Sequence, residues 1–276
     1  MAEFEYVTRR PPEPLEPFVE SIWYARGQLM HNSERIAPTG STVAVFVLGS
    51  PILETPRNGE GEPFLAERGW LAGPHDGPVL NAPTAETHAV GIVSTPVGCR
   101  ALFGVDPSPL RGRVEDLEHA WPAATALRDA LHDKSPHDCL DAVEATLSEG
   151  LRPPPNWQRA AKAIANLEQD PRRPIHELAT ELGITHAHLD REFVRVVGLT
   201  PRVLARILRL RRVLQALDLN EGTTWTGIAA EWGWFDQSHF IRDFRRHTGV
   251  TPSAYRQAQR AAYDVGQQEP GFVPVM

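Results

Sequence analysis

The chain has 276 residues, which is long enough for two domains with separate hydrophobic cores. Its two cysteines, Cys99 and Cys139, are too few for a disulfide framework or a cysteine-based zinc site. The apolar run at 42–48 is far too short to cross a membrane, and residues 1–5 lack the features of a signal peptide. The sequence therefore predicts a cytoplasmic protein without a membrane contact.

The net charge of −7 is divided unevenly along the chain. Residues 1–156 hold 12 basic and 22 acidic side chains, whereas residues 157–260 hold 16 basic and 11 acidic ones, a net charge of +5. Nearly all the basic groups are arginine, whose planar guanidinium pairs with phosphate and with guanine. This division favours nucleic-acid contact at the carboxyl-terminal end alone, with a chance distribution as the alternative.

Residues 1–150 are predicted to form a β-rich domain with a helical end. Residues 15–19 suggest a short helix docked on this domain, and residues 56–63 an exposed turn. The unbroken apolar run at 42–48 predicts a strand that is buried on both faces. Short segments between glycines and prolines predict a small barrel or sandwich, with strands at 21–26, 42–48, 69–73 and 87–93. Helices are predicted at 96–104, 122–132 and 136–149.

The prolines at 153–155 predict a stiff linker over residues 151–156, in which Asn156 caps the next helix. The fold class is thus α+β, with the β-rich domain followed by an all-α domain over 157–262. Residues 263–276 are predicted to form a loose tail. Apolar periodicity predicts seven helices in the second domain: 157–168, 175–182, 186–196, 202–218, 224–232, 237–247 and 252–262.

The all-α region contains an internal repeat. Residues 178–183 match residues 228–233 at an offset of 50, and beyond the glycine the match continues at an offset of 51. The second copy therefore has one extra residue in its turn. Each copy combines a helix ending at a glycine with a helix that has one apolar and one basic face, which is typical of a helix-turn-helix. A duplicated helical hairpin without a DNA-binding role is the alternative.

Several details of the second copy support this interpretation. Asp236 is suited to cap the second helix of the unit, and Phe240 and Phe244 lie four residues apart on its apolar face. The motif closes with Gly249-Val250-Thr251-Pro252, in which threonine caps and proline enters the next helix. Gly198-Leu199-Thr200-Pro201 closes the first copy in the same way.

At these residues the chain resembles the AraC/XylS family of bacterial transcription regulators, over about residues 157–259. The resemblance implies binding to double-stranded DNA, contact with RNA polymerase and a role as an activator. The segment from Trp70 to Trp121 is similar to an uncharacterised amino-terminal domain attached to some members. Two recognition helices on one chain suggest contact with successive major grooves, about 34 Å apart on one face of the DNA.

The resemblance also assigns groove-facing positions. In the second copy these are Gln237, Ser238, His239 and Arg242, and in the first copy Ala187, Asp190 and Arg191. Glutamine can pair with adenine, arginine with guanine, and alanine can contact a thymine methyl. Asp190 could accept a hydrogen bond from cytosine or could instead orient Arg191. Predicted phosphate contacts, which position without reading sequence, are Arg195, Arg245 and Arg246. Arginines 206, 209, 211 and 212 read as a solvated face or as further phosphate contacts.

The amino-terminal domain could sense a small-molecule effector or could serve only to form a homodimer. Candidate pocket residues are Trp23, Phe46, Trp70, His75, His88 and Trp121, although aromatic side chains in a small β domain are more often core. Cys99 could act as a redox or alkylation sensor, but a buried structural thiol is the more common role. No hydrolase, nucleotide-binding or metalloprotease motif occurs, so neither an enzyme nor a cofactor or metal is predicted.

Overall fold

The computed structural model describes residues 4–29, 31–155, 157–217, 224–263 and 270–275. Within these ranges the strands are β1 Glu5–Arg9, β2 Val19–Gly27, β3 Ser33–Ile36, β4 Val43–Val47, β5 Ile52–Thr55, β6 Phe64–Ala66, β7 Gly69–Ala72, β8 Val79–Pro83, β9 Thr87–Ser94, β10 Val114–Asp116 and β11 Phe272–Val275. The helices of the amino-terminal region are α1 Gly98–Phe103, α2 Leu117–Ala120, α3 Ala124–Leu131 and α4 Pro136–Gly150. The remaining helices are α5 Trp157–Gln169, α6 Ile175–Glu181, α7 His186–Val197, α8 Pro201–Ala216, α9 Trp225–Glu231, α10 Gln237–Thr248 and α11 Pro252–Ala262.

The strands form two antiparallel sheets rather than a closed barrel. One sheet has the order β1-β2-β9-β4-β7-β10 and the other has the order β11-β3-β8-β5-β6. The sheets share a small core in which Val45, Val47 and Trp70 of the first contact Ile52 and Ala66 of the second. The sandwich and the helical carboxyl-terminal region agree with the predicted α+β class.

The larger sheet is covered on both faces. Alternate residues of β4 point in opposite directions, so Val45 and Val47 face the second sheet while Ala44 and Phe46 join the core under the helices. Since β4 also lies between β9 and β7, its segment from Ala44 to Val47 is buried. The prediction of a strand buried on both faces is confirmed.

The predicted helix at 15–19 is wrong. Residues 13–18 form a turn, in which the Phe18 amide donates to the Leu15 carbonyl at 2.8 Å, and Val19 already begins β2. Pro14 and Pro17 each lack an amide donor, which interrupts helical hydrogen bonding. The segment nevertheless docks as expected, because Leu15 and Phe18 are buried.

The seven helices α5–α11 correspond to the seven predicted ones, with small differences at their ends. Thr200 accepts a hydrogen bond from the Val203 amide, and Thr251 accepts one from the Ala254 amide, each with proline at the first helical position. These contacts follow the predicted capping mechanism. The predicted cap at Asn156 lies outside the described residues.

The expectation of a loose tail does not hold for residues 270–275. Strand β11 pairs with β3, with Val273 opposite Arg35, although Pro274 confines such a strand to the edge of a sheet. Val273 is fully buried against α11, and the Tyr255 hydroxyl donates to the Pro270 carbonyl at 3.1 Å. This segment therefore connects the last helix with the amino-terminal sandwich.

Candidate DNA-binding surface

Two helix-turn-helix units have the same backbone construction. Unit one consists of α6 and α7, and unit two consists of α9 and α10. In unit one the Ile184 amide donates to the Ala179 carbonyl at 3.0 Å, and in unit two the Trp234 amide donates to the Ala229 carbonyl at 2.8 Å. The turn glycines Gly183 and Gly233 both have left-handed backbones, with φ of 69° and 78°. The repeat in the sequence is therefore a repeat in the structure.

The predicted recognition helix of each unit is its second helix, α7 or α10, and the two are capped and anchored in an equivalent manner. Thr185 accepts from the His188 amide at 3.2 Å, and Asp236 accepts from the His239 amide at 2.7 Å, which confirms the predicted cap. The apolar anchors of both helices are fully buried; they are Leu189 and Phe193 in α7, and Phe240 and Phe244 in α10. These contacts fix the apolar face and leave the opposite face of each helix to solvent.

A partly buried ion pair connects the second helix of each unit to the helix that precedes the unit. Arg159 of α5 lies 2.8 Å from Glu192 of α7, and Arg209 of α8 lies 3.2 Å from Asp243 of α10. Asp243 also accepts from the Trp234 indole at 3.0 Å. These pairs were not predicted from the sequence, although Arg159 and Arg209 are 50 residues apart and the two carboxylates are 51 residues apart. The repeat thus begins at α5 and α8, earlier than the sequence motif indicated.

Most of the predicted groove-facing side chains of unit two are exposed. Gln237, Ser238 and Arg242 lie on the open face of α10, and Gln237 accepts a hydrogen bond from the Thr226 hydroxyl at 2.8 Å. His239 is half-buried, with its Nε2 atom 3.7 Å from Asp243 Oδ2. The structure therefore brings a polar set to one helix face, with His239 partly engaged inside the unit.

Unit one presents a smaller exposed set. Ala187, Arg191 and Arg195 are exposed on α7. Asp190 is half-buried, and its Oδ1 atom lies 3.7 Å from His186 Nε2, one helical turn earlier. Neither of the two roles considered for Asp190 anticipated this histidine partner.

The predicted phosphate contacts differ in their surroundings. Arg195 and Arg245 are exposed, whereas Arg246 forms an ion pair with Asp76 of the amino-terminal region. Asp76 also lies 3.9 Å from Arg111. Although burial acts in the opposite direction, the hydrogen bond and charge of Arg246 hold the pKa of Asp76 below its usual value. In this structure the Arg246 guanidinium is thus engaged by a carboxylate.

The segment that carries Asp76 contacts both units; residues 73–77 are called the interdomain loop below. The Asp76 carbonyl lies 2.7 Å from His247 Nδ1, and burial lowers the pKa of this histidine. At unit one, Pro74 packs so closely on Gly198 that a Cβ there would lie 2.6 Å from the proline ring. The loop therefore lies between the carboxyl-terminal ends of the two recognition helices.

The arginines of α8 mostly make contacts within the chain rather than facing solvent. Arg209 forms the ion pair described above, Arg211 lies 2.8 Å from Glu20, and Arg212 donates to the Glu168 carbonyl. Arg206 is half-buried. Helix α8 therefore connects the two units and also contacts the amino-terminal domain.

The six candidate pocket residues are not brought together. Phe46 and Trp121 pack in the core beneath the helices, with ring centroids 6.0 Å apart. Trp70 belongs to the core between the sheets, and Trp23 packs partly buried against that core. The other two residues lie elsewhere: His88 Nε2 is 3.3 Å from the Tyr24 hydroxyl, and His75 Nδ1 is 2.8 Å from the Gly73 carbonyl in the interdomain loop.

A different cleft, of about 480 Å³, lies between the amino-terminal domain and helices α5 and α8. Its apolar walls include Val97, Ile164 and Leu208. The Glu20–Arg211 ion pair also lines it. None of the six candidate pocket residues is among the residues that line this cleft.

Cys99 is almost completely buried, and its thiol contacts the Val105 carbonyl. Burial raises the pKa of this thiol to about 11. Since the thiolate is the reactive form, these surroundings argue against a sensor role and favour a structural thiol.

Both the amino-terminal and the carboxyl-terminal regions of the chain match known protein families. The sequence matches a helix-turn-helix domain family, HTH_18, over residues 178–258, and a domain of unknown function, DUF6597, over residues 7–116. The transcriptional regulator RipA of Corynebacterium diphtheriae is 31% identical over 152 residues, which cover 53% of this chain and 43% of RipA. The transcriptional activator AarP of Providencia stuartii is 29% identical over 101 residues, 36% of this chain and 73% of AarP. The alignment therefore spans less than half the length of RipA.

Among solved structures, ToxT of Vibrio cholerae has a TM-score of 0.48 at 12% identity, covering 92% of this chain and 98% of ToxT. Within the part of the chain that the structure describes, each helix is too short or too polar to span a membrane.

Almost all of the duplicated helix-turn-helix lies within the region matched by HTH_18, and most of the β-sandwich lies within the region matched by DUF6597. The HTH_18 match and the two related regulators support an AraC/XylS-family regulator, and the amino-terminal region matches the DUF6597 family.

Proposed function

We propose that this regulator reads two successive major grooves with α7 and α10 and that it responds to a small-molecule effector. The observation that carries the first part is the equivalence of the two units, which have matching hydrogen bonds at the turn glycine, matching helix caps and matching, partly buried ion pairs. Each unit leaves an arginine exposed on its recognition helix, Arg191 in one and Arg242 in the other. Exposed arginines in this position suit bidentate contacts to guanine.

Selection of bound DNA from random sequence tests the two-groove proposal. The recovered site is expected to be asymmetric, with two short specific segments one helical turn apart. Arg191→Ala should relax base preference in one segment and Arg242→Ala in the other, each at a cost of about 1–3 kcal/mol. A single short palindrome, or a base preference that survives both substitutions, would contradict this arrangement.

Phosphate contacts provide the matched control. Arg195→Ala should weaken binding to all sequences alike and should reduce the salt dependence by about one counterion, without altering base preference. A base-specific effect of Arg195→Ala would mean that the assignment of base-reading and phosphate-binding arginines is reversed.

We place the proposed effector in the cleft between the amino-terminal domain and helices α5 and α8. Its volume of about 480 Å³ falls within the usual range for small-ligand sites. An occupant would contact the sandwich domain and the helix that joins the two units. Binding there could therefore alter the position of the units relative to the domain.

Filling the cleft tests the effector site. Ala165 is exposed and lines the cleft, so Ala165→Trp should abolish the response of DNA binding to added cell metabolites while leaving binding itself intact. Ala145→Trp, on an exposed face of α4, is the control. An unchanged metabolite response in Ala165→Trp would exclude this cleft.

The remaining parts of the proposal follow from the family and from DNA binding itself. AarP is described as an activator, and we extend that role, with contact to RNA polymerase, to this chain. The proposed location is the cytoplasm, where the DNA lies. A homodimer bound to direct repeats is proposed for the intact regulator, and sizing by light scattering with and without DNA would test it.

A further inference from the structure

Phe235 is the one residue by which the turn of unit two is longer than that of unit one. The two turns are equivalent at the glycine, Gly183 or Gly233, and at the residue after it. That residue is Ile184 in unit one and Trp234 in unit two, and its amide makes the same backbone hydrogen bond in both. In unit one the capping threonine follows Ile184 directly. In unit two Phe235 stands between Trp234 and the capping aspartate. The insertion thus lies where the chain enters the second recognition helix.

The side chain of Phe235 is 92% exposed, the largest value among the exposed large hydrophobic residues of the described chain. The next most exposed, Tyr6, reaches 54%. Burying a phenylalanine is worth about 1.5–3 kcal/mol, and Phe235 gains almost none of this within the chain. Its apolar surface is available to a binding partner.

The residues on either side hold Phe235 in this exposed position. Trp234 is buried: its indole donates a hydrogen bond to Asp243, and the Arg209 guanidinium carbon lies 3.9 Å from its ring centroid. On the other side, the Asp236 carboxylate caps α10. Since both neighbours are fixed, the phenyl ring projects outward beside the amino-terminal end of the recognition helix.

We propose that Phe235 contacts DNA and reads the methyl group of a thymine at the edge of the segment bound by unit two. This inference rests on the proposed function, and it adds a specificity-determining residue to unit two alone. The amino-terminal residues of a recognition helix contact base edges, and Gln237 and Ser238 lie exposed next to Phe235. Phenylalanine carries no hydrogen-bonding group, and its apolar complement in the major groove is the thymine methyl.

Methyl deletion in the DNA tests the contact directly. In the site selected by the wild-type protein, each thymine is replaced singly by deoxyuridine, which keeps its base pair but lacks the methyl. Wild-type affinity is expected to fall about fourfold at one thymine, the value of one buried methyl. Phe235→Ala should bind the unmodified site about tenfold more weakly and should show no further loss at that deoxyuridine.

Two variants serve as controls. Arg242→Ala should retain the sensitivity to the thymine methyl, since it removes a different contact. Leu65→Ala removes another exposed apolar side chain, at 49% exposure in β6, and should bind every DNA as the wild type does.

The inference is overturned if Phe235→Ala keeps wild-type affinity and the full methyl sensitivity. Loss of transcription activation by Phe235→Ala with unchanged DNA binding would assign the ring to a protein partner and would also overturn it. Failure of the wild-type protein to select any DNA sequence would instead remove the proposed function, and the inference with it.

The interdomain loop carries a second, independent inference. We infer that Asp76 keeps Arg246 from phosphate until the loop moves away from α10. Arg246 lies on the exposed surface beside Arg245, yet its guanidinium is bound to a carboxylate that repels DNA phosphate. The His247 contact to the Asp76 carbonyl fixes the loop in this position.

Salt titration of operator binding tests this second inference. Asp76→Asn should tighten binding at low salt and steepen the logarithmic salt dependence by about 0.9, the value for one additional phosphate contact. The increase in affinity and in salt dependence caused by Asp76→Asn should vanish when Arg246→Ala is added. It should persist when Arg195→Ala is added instead. An unchanged slope in Asp76→Asn, or an effect that remains without Arg246, would contradict it. Thermal unfolding of each variant verifies that it is folded.

Discussion

The two units are built alike but pack differently against the rest of the molecule. The anchors of unit one, such as Phe193, belong to a core that continues into the amino-terminal domain through Phe18 and Leu102. Unit two has a separate, smaller core around Phe244. That core receives Ala37 and Val273 from outside the unit. Unit one is therefore continuous with the domain, whereas unit two is attached to it by fewer apolar groups and by polar contacts.

This difference indicates which unit can change position. Shifting unit one would disrupt a large close-packed core, because cores resist gradual deformation. Shifting unit two requires separation of the Arg246–Asp76 pair, of the His247 contact, of the close packing of Gly249 on Asn58 and Arg35, and of a few apolar side chains. An effector that changes the spacing of the two recognition helices would thus act on unit two.

Truncating equivalent core residues in the two units should produce the largest difference between the units. Phe193→Ala and Phe244→Ala remove equivalent, fully buried rings and should each cost about 3–5 kcal/mol. Phe193→Ala is expected to increase hydrogen exchange in unit one and in the sandwich domain together. Phe244→Ala should increase it in unit two and in the segments that share its core, which are the end of α8, α11 and β11, while most of the sandwich domain keeps its protection. Mass spectrometry of exchanged peptides measures both, and identical exchange patterns would contradict the division into two cores.

Removal of the buried carboxylates should reveal a smaller difference. Asp243→Ala removes the carboxylate that accepts from both Arg209 and the Trp234 indole, whereas Glu192→Ala removes the partner of Arg159 alone. Each carboxylate also has a histidine at a longer distance, His239 for Asp243 and His188 for Glu192. Hydrogen bonds to charged groups contribute about 1.5–3 kcal/mol, so Asp243→Ala should lower the free energy of unfolding by roughly 1 kcal/mol more than Glu192→Ala.

Denaturant unfolding of the two variants supplies the measurement. Asp190→Ala on the open face of α7 is the control and should change stability little, since its contact to His186 is half exposed. Equal losses in Asp243→Ala and Glu192→Ala would show that the Trp234 contact adds nothing.

The smallest expected effect is a pH dependence specific to unit two. Burial lowers the pKa of His247, which faces Asp76, Asp243 and Arg246. The neutral His247 ring therefore makes its full contribution to the free energy of unfolding above about pH 6.5, the pKa of histidine in the unfolded chain. This contribution is lost as the pH falls from there through the lower pKa of His247 in the folded protein. The slope cannot exceed about 1.4 kcal/mol per pH unit for one proton.

Unfolding measured between pH 7.5 and 5.5 checks this expectation. His247→Gln should flatten the pH profile, because glutamine does not titrate. His75 in the interdomain loop also has a pKa lowered by burial, so His75→Gln is needed to separate its share. A profile that His247→Gln leaves unchanged would contradict the prediction. The corresponding position of unit one is Val196, which cannot contribute.

Local signals in the sequence account for the helical half of the fold. The Thr200-Pro201 and Thr251-Pro252 caps and the two turn glycines act within a few residues, and they were predicted at their observed positions. Strands β3 and β5 were missed because Glu34 and Glu54 interrupt the apolar pattern and yet are buried. These two strands form because of their pairing and packing in the tertiary structure, and the same holds for β11.

Residue type and spacing in the sequence predicted part of the candidate site, but they did not predict its tertiary contacts. The exposed arginines of α7 and α10 follow from helical periodicity, whereas the engagement of Arg246 depends on Asp76, 170 residues away. The pocket prediction grouped aromatic residues by chemistry. Alternation along the strands sends Phe46 and Trp70 to opposite faces of one sheet, so they cannot line a common cavity.

The pairing of β11 with β3 has a consequence for how the protein folds. Ile36 lies opposite Phe272, so the two strands close a loop that contains most of the polypeptide. Contacts between such distant segments form late, because the entropy of bringing them together is lost before the contact stabilises anything. During refolding, the sandwich and unit one should acquire protection from exchange first, and α11 should become protected only when this final strand joins its sheet.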